Sequence, residues 1–322
     1  MTDSKTKISY LGIPGSYSHQ AAHECFPDGS FSGFTKFDEV IKAADSGDAD
    51  YAIIPVENSS AGRVTEVYNL LPSVKLNILG EHLLPIHHCL LVSYKAYRGW
   101  LPHEMEPSQA IAWKESPLSK EEKEEALSKI KQVHSHSQAL LQCTKYLEEK
   151  LPKAGTVVDF DTATAARALA QKEDKKHAAI ASRHAADIYN LLVVDDEIVD
   201  DPYNMTRFLI LGRGEQMEYD EDTPMLTSIL FQTNHTPGSL LGALKAFADN
   251  NVNLTKLETY MLSRDLTDPT FYVDVGTALH HPDMQAALKE FKKYTTSCNI
   301  LGSYPASPHR GEKNSFLPVK AK

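Results

Sequence analysis

Residues 8–18 read Ile8-Ser9-Tyr10-Leu11-Gly12-Ile13-Pro14-Gly15-Ser16-Tyr17-Ser18. A short strand-like run stops at a glycine, turns through a proline and a second glycine, and reopens on serines suited to a helix N-cap. The same grammar repeats outward from this stretch. Strand-like runs at 8–11, 51–54, 78–92, 157–160, 178–181 and 207–211 alternate with amphipathic stretches at 18–25, 37–46, 64–71, 137–151, 163–171 and 183–191. This spacing predicts an α/β architecture with largely parallel sheets up to residue 212.

Residues 98–131 interrupt the rhythm. They are rich in Pro and charge and contain Ser119-Lys120-Glu121-Glu122, a capping-box spacing that opens a charged helix, so a surface insertion is expected there. Residues 213–224 turn acidic and lose periodicity, as a linker does. Beyond them, strands at 227–233, 253–261, 270–277 and 299–304 and helices at 238–249 and 282–294 give the order βαββαβ, a ferredoxin-like unit within 225–305. The tail, 306–322, is expected to be loose.

The chain has 322 residues and a net charge of −10, from 43 acidic against 33 basic side chains. That balance argues against a nucleic-acid partner or an anionic membrane surface. The apolar runs all fall short of the roughly 18 residues a span requires, and the polar start leaves no room for a signal core, so a cytoplasmic protein is expected. Cys25, Cys89, Cys143 and Cys298 lie far apart and read as reduced thiols. The sequence lacks a P-loop, a G-x-G-x-x-G, an H-E-x-x-H and a G-x-S-x-G, which points to chemistry without an organic cofactor.

Several polar clusters sit where ligands bind. For Gly12 to Ser18, anion binding by free amides and a plain turn with an N-cap stand level. Glu57-Asn58-Ser59-Ser60 follows a buried strand, at the carboxyl end where open α/β sheets hold ligands. His134 and His136 share a strand face, but a metal site lacks a third ligand, so no metal is expected. Ser135 and Gln142 are the better donors to an anion, and Asp161-Thr162 offers a hydroxyl-capped helix start. Thr206-Arg207-Phe208 alone reads as ordinary strand.

Together these pieces resemble the prephenate dehydratase family. Its motifs G-x-x-G-S-x-S (from Gly12), E-N-S-x-x-G (from Glu57), S-H-x-Q-A-L (from Ser135), T-A-x-A-A (from Thr162) and T-R-F (from Thr206) all stand here in order. The resemblance implies a two-lobed catalytic domain over 1–212, similar to periplasmic binding proteins. One lobe would hold about 1–85 plus 190–212, the other 86–189, with the site in the cleft between them. It implies prephenate as substrate, converted to phenylpyruvate, water and carbon dioxide without a cofactor. Thr206 would be the catalytic donor to the leaving hydroxyl. Asn58, Ser59, Ser135, Gln142 and Thr162 would bind the carboxylates and ketone, and Phe208 would supply an apolar wall. Arg207 would bind a carboxylate or pair with an acid such as Glu57.

The C-terminal unit in turn resembles an ACT regulatory domain. This implies L-phenylalanine as effector and side-by-side pairing into a homodimer or homotetramer. Asn234, Gly238, Ser239, Leu240 and Leu241 would form the effector loop, with Glu258 from the second segment, where Tyr260 and Met261 replace the Arg and Pro of the family's E-S-R-P. With no mutase helix bundle in the sequence, a monofunctional enzyme is expected. Arogenate dehydratase shares the motifs and is the nearest alternative. A non-catalytic amino-acid sensor is the alternative of another class.

Overall fold

Strand β1 (Lys7–Leu11) buries Ile8, Ser9 and Tyr10, and Gly12, at φ 99°, turns the chain out of the sheet. Ser16 then caps α1 (Tyr17–Cys25), its Oγ accepting from the His19 amide at 3.2 Å. The turn and its N-cap, one of the two readings of this loop, are formed. The computed structural model describes residues 5–98, 117–214, 223–261 and 269–310, whose strands make three sheets.

The first sheet runs β2 (Ser30–Phe34), β1, β3 (Tyr51–Asn58), β11 (Met205–Gly212), β5 (Asn77–Pro85), with β4 (Gly62–Arg63) beside β3. Helices α2 (Phe37–Ser46) and α3 (Thr65–Leu70) connect its early strands. The sheet is mixed rather than largely parallel. Strand β11 returns from the second sheet and inserts antiparallel to both β3 and β5.

The predicted strand over 78–92 is two strands. β5 belongs to the first sheet, and β6 (Cys89–Ser93) to the second. A continuous apolar run carries no mark of where a chain changes sheets. Strand β2 was absent from the reading because Ser30-Phe31-Ser32-Gly33-Phe34 alternates weakly and is mostly exposed.

The second sheet runs β10 (Leu191–Asp195), β6, β9 (His177–Ala181), β7 (Gln132–Ser135), β8 (Gly155–Val158). Its helices are α4 (Tyr94–Arg98), α5 (Lys120–Lys129), α6 (Ser137–Leu141), α7 (Thr144–Lys150), α8 (Thr162–Ala170) and α9 (Arg183–Tyr189). Asn190, at φ 53°, ends α9 before the end of the predicted helix 183–191, and β10, which the sequence does not predict, follows it. Ser119 and Glu122 form the expected capping box. The end of the expected insertion is not a detachable loop, because Leu118, Ala126 and Ile130 are buried in this sheet's core. Residues 99–116 of it lie outside the described residues.

The third sheet is antiparallel, β13 (Leu254–Met261), β14 (Pro269–Val275), β12 (Met225–Thr233), β15 (Thr295–Pro305). With α10 (Ser239–Ala248) and α11 (Pro282–Phe291) it has the order βαββαβ. Alternation sends Ile229, Phe231, Phe271 and Val273 to the helices. Leu230, Tyr272 and Tyr304 go to the other face, into one core with Tyr68, Leu209 and Leu211 of the first sheet. The approach is closest at Gly302, where an added Cβ would lie 2.1 Å from the Ile78 carbonyl oxygen. The start of the expected loose tail is pinned here too: Ser307 N and Arg310 hydrogen-bond Glu81. Residues 311–322 lie outside the described residues, as do 215–222 of the expected linker.

Candidate active site

The chain crosses between the first two sheets at 86–88 and 196–204, joining the end of β5 to the start of β6 and the end of β10 to the start of β11. Given the strand directions, the carboxyl ends of β1 and β3 lie on the same edge as the start of β11. Across the crossing, the carboxyl ends of β7, β8 and β9 lie with the start of β6. All five motifs therefore stand on the two facing edges.

On the first edge, Asn58 pairs across the strands with Thr206. Asn58 Oδ1 accepts from the backbone amides of Ser60 (3.0 Å) and Ala61 (2.8 Å), which fixes the side-chain amide. Its Nδ2 then donates to Asn204 Oδ1 at 2.8 Å and to Thr206 Oγ1 at 3.0 Å. Because Thr206 Oγ1 accepts from Asn58, its own hydrogen is left to donate elsewhere. Ser59 is committed to the backbone: its Oγ accepts from Met205 N at 2.9 Å and donates to Tyr203 O at 3.3 Å. It pins the start of β11.

Two of the expected ligand residues point elsewhere. Arg207 is buried on the opposite face from Thr206 and pairs with Glu81 (2.7 Å) and Asp274 (2.5 Å). Of its two readings, pairing with an acid is the one formed, and the acid is not Glu57, which pairs with Lys256 at 2.8 Å. Phe208 is 1% exposed and packs with Ile8, Ala21, Ala22 and Ile53. It is core rather than wall.

On the second edge, Ser135 is fully buried and donates to the Ile180 carbonyl at 2.6 Å, joining β7 to β9 instead of facing a ligand. Thr162 is the first residue of α8, whose cap Asp161 accepts from Thr164 N. His136 caps α6, and His134 lies 3.4 Å from Asp159. Among the described residues no three His, Cys, Asp or Glu side chains are placed to hold a metal. Gln142 Oε1 lies 3.0 Å from His88 Nε2, and His88 Nδ1 lies 2.7 Å from Tyr17 Oη. Burial lowers the His88 pKa to about 4, so the ring is neutral. With its one proton on Nε2 the ring donates to Gln142 Oε1, and in that tautomer the amide nitrogen of Gln142 is the remaining donor.

His88 and Tyr17 were missed by sequence reasoning, since a histidine in an apolar run carries no pattern of its own. Asn204 was legible in principle, two residues before Thr206 and so on its face. Phe160, read as strand, stands beyond β8 next to Thr162 and is 78% exposed, an aromatic surface on this edge.

The edges also touch directly. His19 Nδ1 lies 2.8 Å from His184 Nε2, Tyr189 Oη donates to Pro14 O at 2.5 Å, and Ser182 Oγ donates to Gly15 O at 3.3 Å. Gly15 has φ 87°, and a Cβ there would meet Tyr189 at 3.0 Å and Ala185 at 3.2 Å. Only glycine fits both the backbone and the contact.

In the C-terminal unit, Thr233 to Leu241 lines an open pocket of about 570 Å³. Gly238 at φ 86° is the N-cap of α10, Ser239 is buried, Leu240 packs on the core and Leu241 is exposed. Asn234 Nδ2 donates to Lys293 O at 3.1 Å. Glu258 is not part of this pocket. It faces the first sheet and pairs with Arg63 at 3.1 Å and Lys256 at 3.2 Å. Among the described residues no helix is long and apolar enough to cross a membrane.

Comparison with known proteins agrees with this arrangement. The chain is 32% identical over 304 residues to the bifunctional chorismate mutase/prephenate dehydratase of Escherichia coli K12, covering 93% of this chain and 71% of that one. It is 34% identical over 319 residues to arogenate dehydratase 2 of Petunia hybrida, covering 94% and 72%. A solved structure of GqqA, described as a novel type of quorum quenching acylase, superposes with TM-score 0.78 at 32% identity over 94% of this chain and 99% of that one. Prephenate dehydratase from Arthrobacter aurescens in complex with L-Phe shares the fold, with TM-score 0.76 at 24% identity over 93% and 90%. The model of the prephenate dehydratase family matches residues 8–216, spanning the first two sheets and every motif on their facing edges, and the chain belongs to that family.

Proposed function

We propose that the chain is a prephenate dehydratase in which Thr206 donates a hydrogen bond to the departing ring hydroxyl. The observation that carries this is the Asn58–Thr206 bond, in which Asn58, fixed by two backbone amides, takes the lone pair of Thr206 and turns its hydrogen outward. The electron pair of the bond to the ring carboxylate moves into the ring as carbon dioxide leaves, and hydroxide departs opposite it and takes a proton to become water. Aromatisation drives the step, so a hydrogen-bond donor rather than a strong acid suffices. Gln142, Thr162 and the helix start at Asp161 are the donors that hold the second edge to the substrate's carboxylates, and Phe160 offers it an apolar surface.

Incubation with prephenate and with arogenate separately, followed by detection of phenylpyruvate or phenylalanine, tests the reading. Arogenate is the second reading, favoured by the likeness to the Petunia enzyme. An acylase activity, as the likeness to GqqA would suggest, would need an activated nucleophile. Burial pushes the Cys89 thiol up to about 11, and Ser182 Oγ caps α9. For the C-terminal unit, the open loop at Gly238 and the exposed Leu241 support binding of phenylalanine as a regulator.

A further inference from the structure

The C-terminal sheet reaches the active-site strands through charge as well as apolar packing. Arg207 follows Thr206 and points to the opposite face of the sheet. Its Nε donates to Glu81 Oε2 on β5 at 2.7 Å, its Nη1 to Asp274 Oδ2 on β14 at 2.5 Å, and its Nη2 to Tyr304 Oη on β15 at 3.0 Å. Asp274 is fully buried, and its other oxygen accepts from Ser228 at 2.5 Å. Arg310 closes the set on Glu81, so two cations meet two carboxylates.

A second contact lies on the other side of the catalytic pair. Glu57, the neighbour of Asn58, is held by Lys256 of β13. Arg63, the residue after that motif, donates to Glu258 and to the Thr259 carbonyl, also on β13. Asn58 and Thr206 are thus each adjacent to a residue whose charged group is gripped by the C-terminal sheet.

The strand ladder leaves a need for such a grip. The pairing of β11 with β3 shifts register between Arg207 and Phe208, one residue beyond Thr206. A register shift re-aims neighbouring side chains and interrupts the ladder that would otherwise pin them. A planar guanidinium held by three directional hydrogen bonds restores a fixed orientation at that point.

We infer that Asp274 and Lys256 are positioning residues for the active site, and that through Arg207 and Glu57 the C-terminal sheet sets the geometry at which Asn58 meets Thr206. The inference rests on the proposed role of Thr206. It makes the C-terminal sheet a determinant of where the two side chains meet.

The test uses the full chain with Asp274→Asn, Lys256→Met and Tyr304→Phe. In each, kcat on the turned-over substrate should fall about threefold to thirtyfold, the span that substitutions in a coupled packed network produce, while KM changes less. Amide hydrogen exchange at 57–60 and 204–207 should quicken. In a Thr206→Ala background Asp274→Asn should lower the residual rate no further. An equal loss in that background would overturn the inference, as would unchanged turnover and exchange in the soluble variants. If Asp274→Asn does not fold, Lys256→Met and Tyr304→Phe decide the matter. If the unaltered chain turns over neither prephenate nor arogenate, the reading of Thr206 fails, and exchange alone decides whether the C-terminal sheet holds the two strands.

Discussion

The side-chain amides of Asn58 and Asn204 face each other, Asn58 Nδ2 donating to Asn204 Oδ1 at 2.8 Å. The orientation of the first fixes that of the second. Asn204 Nδ2 is left as a buried donor with no acceptor among the described residues, on the amide whose oxygen accepts from the same Asn58 nitrogen that donates to Thr206. A buried donor in that state costs about 1–3 kcal/mol, which an acceptor arriving on a substrate removes. Asn204→Asp replaces this donor with an acceptor. Its kcat/KM should fall about tenfold or more at neutral pH and recover in part as the pH drops and the new carboxyl protonates. A flat pH profile at full activity would contradict this.

Thr206→Ala should remove most turnover and leave KM within several-fold, because the lost contact matters chiefly as the hydroxyl departs. Asn58→Ala should do the same less severely, since the threonine keeps its hydrogen but loses its direction. The double variant should be no worse than Thr206→Ala. Steady-state kinetics on the three proteins checks it.

Acid should loosen the contact between the two edges. The His19 pKa is lowered to about 4 by burial and by the charges of His184 and His23, and burial holds His88 to about 4. Unfolded, each takes up a proton near 6.5. Between these values the unfolded chain binds more protons, so stability is complete above pH 6.5 and lost as the pH falls through 4. His82 has the opposite sign: burial lowers its pKa, but hydrogen bonds with Cys25 and Glu24 outweigh this and raise it to about 9. Its contribution is complete below pH 6.5 and lost as the pH climbs through 9. Melting temperature should peak near pH 6.5, and His19→Asn should make the acid limb shallower, His88 keeping the remainder, while the alkaline limb stays unchanged.

Gly302→Ala should damage the protein far more than its small volume suggests. The added Cβ meets a backbone oxygen, which cannot swing aside as a side chain can. Strands β15 and β5 must separate, and thermal unfolding should drop by several degrees, as a loss of about 1–3 kcal/mol produces. Gly238→Ala meets open space but an unfavourable φ, so its effect should be confined to the α10 loop.

Calorimetric titration with phenylalanine should show binding to the full chain, weakened by Gly238→Ala. No heat at millimolar ligand would remove the regulatory reading without touching the catalytic one.

Thr206 alone reads as ordinary strand and is singled out only by the family resemblance, but glycine turns, helix caps and the place of Asn58 at a strand end could be read from the sequence because they are local. The fates of Ser135 and Arg207 could not. Both are polar residues in motifs, and only the packed fold shows that one hydroxyl is spent on Ile180 and the guanidinium on Asp274. The change of sheet within 78–92 was equally hidden, since residues on both sides of it are apolar. Leu118 and Ile130 were read as insertion because charge dominates their surroundings, whereas two or three apolar residues suffice to join a core.

The central place of β11 in its sheet, between β3 and β5, has a consequence for synthesis. Asn58 and Asn204 are 146 positions apart. At about 5–20 residues per second, roughly 7–30 s pass on the ribosome between their emergence. Throughout that interval one edge of β3, and from residue 85 onward one edge of β5, is made but lacks its partner, open to wrong pairing or in need of a chaperone. The strand that carries Thr206 is also the one that closes the gap, so a nascent chain completes the Asn58–Thr206 pair at the moment it stops being sticky.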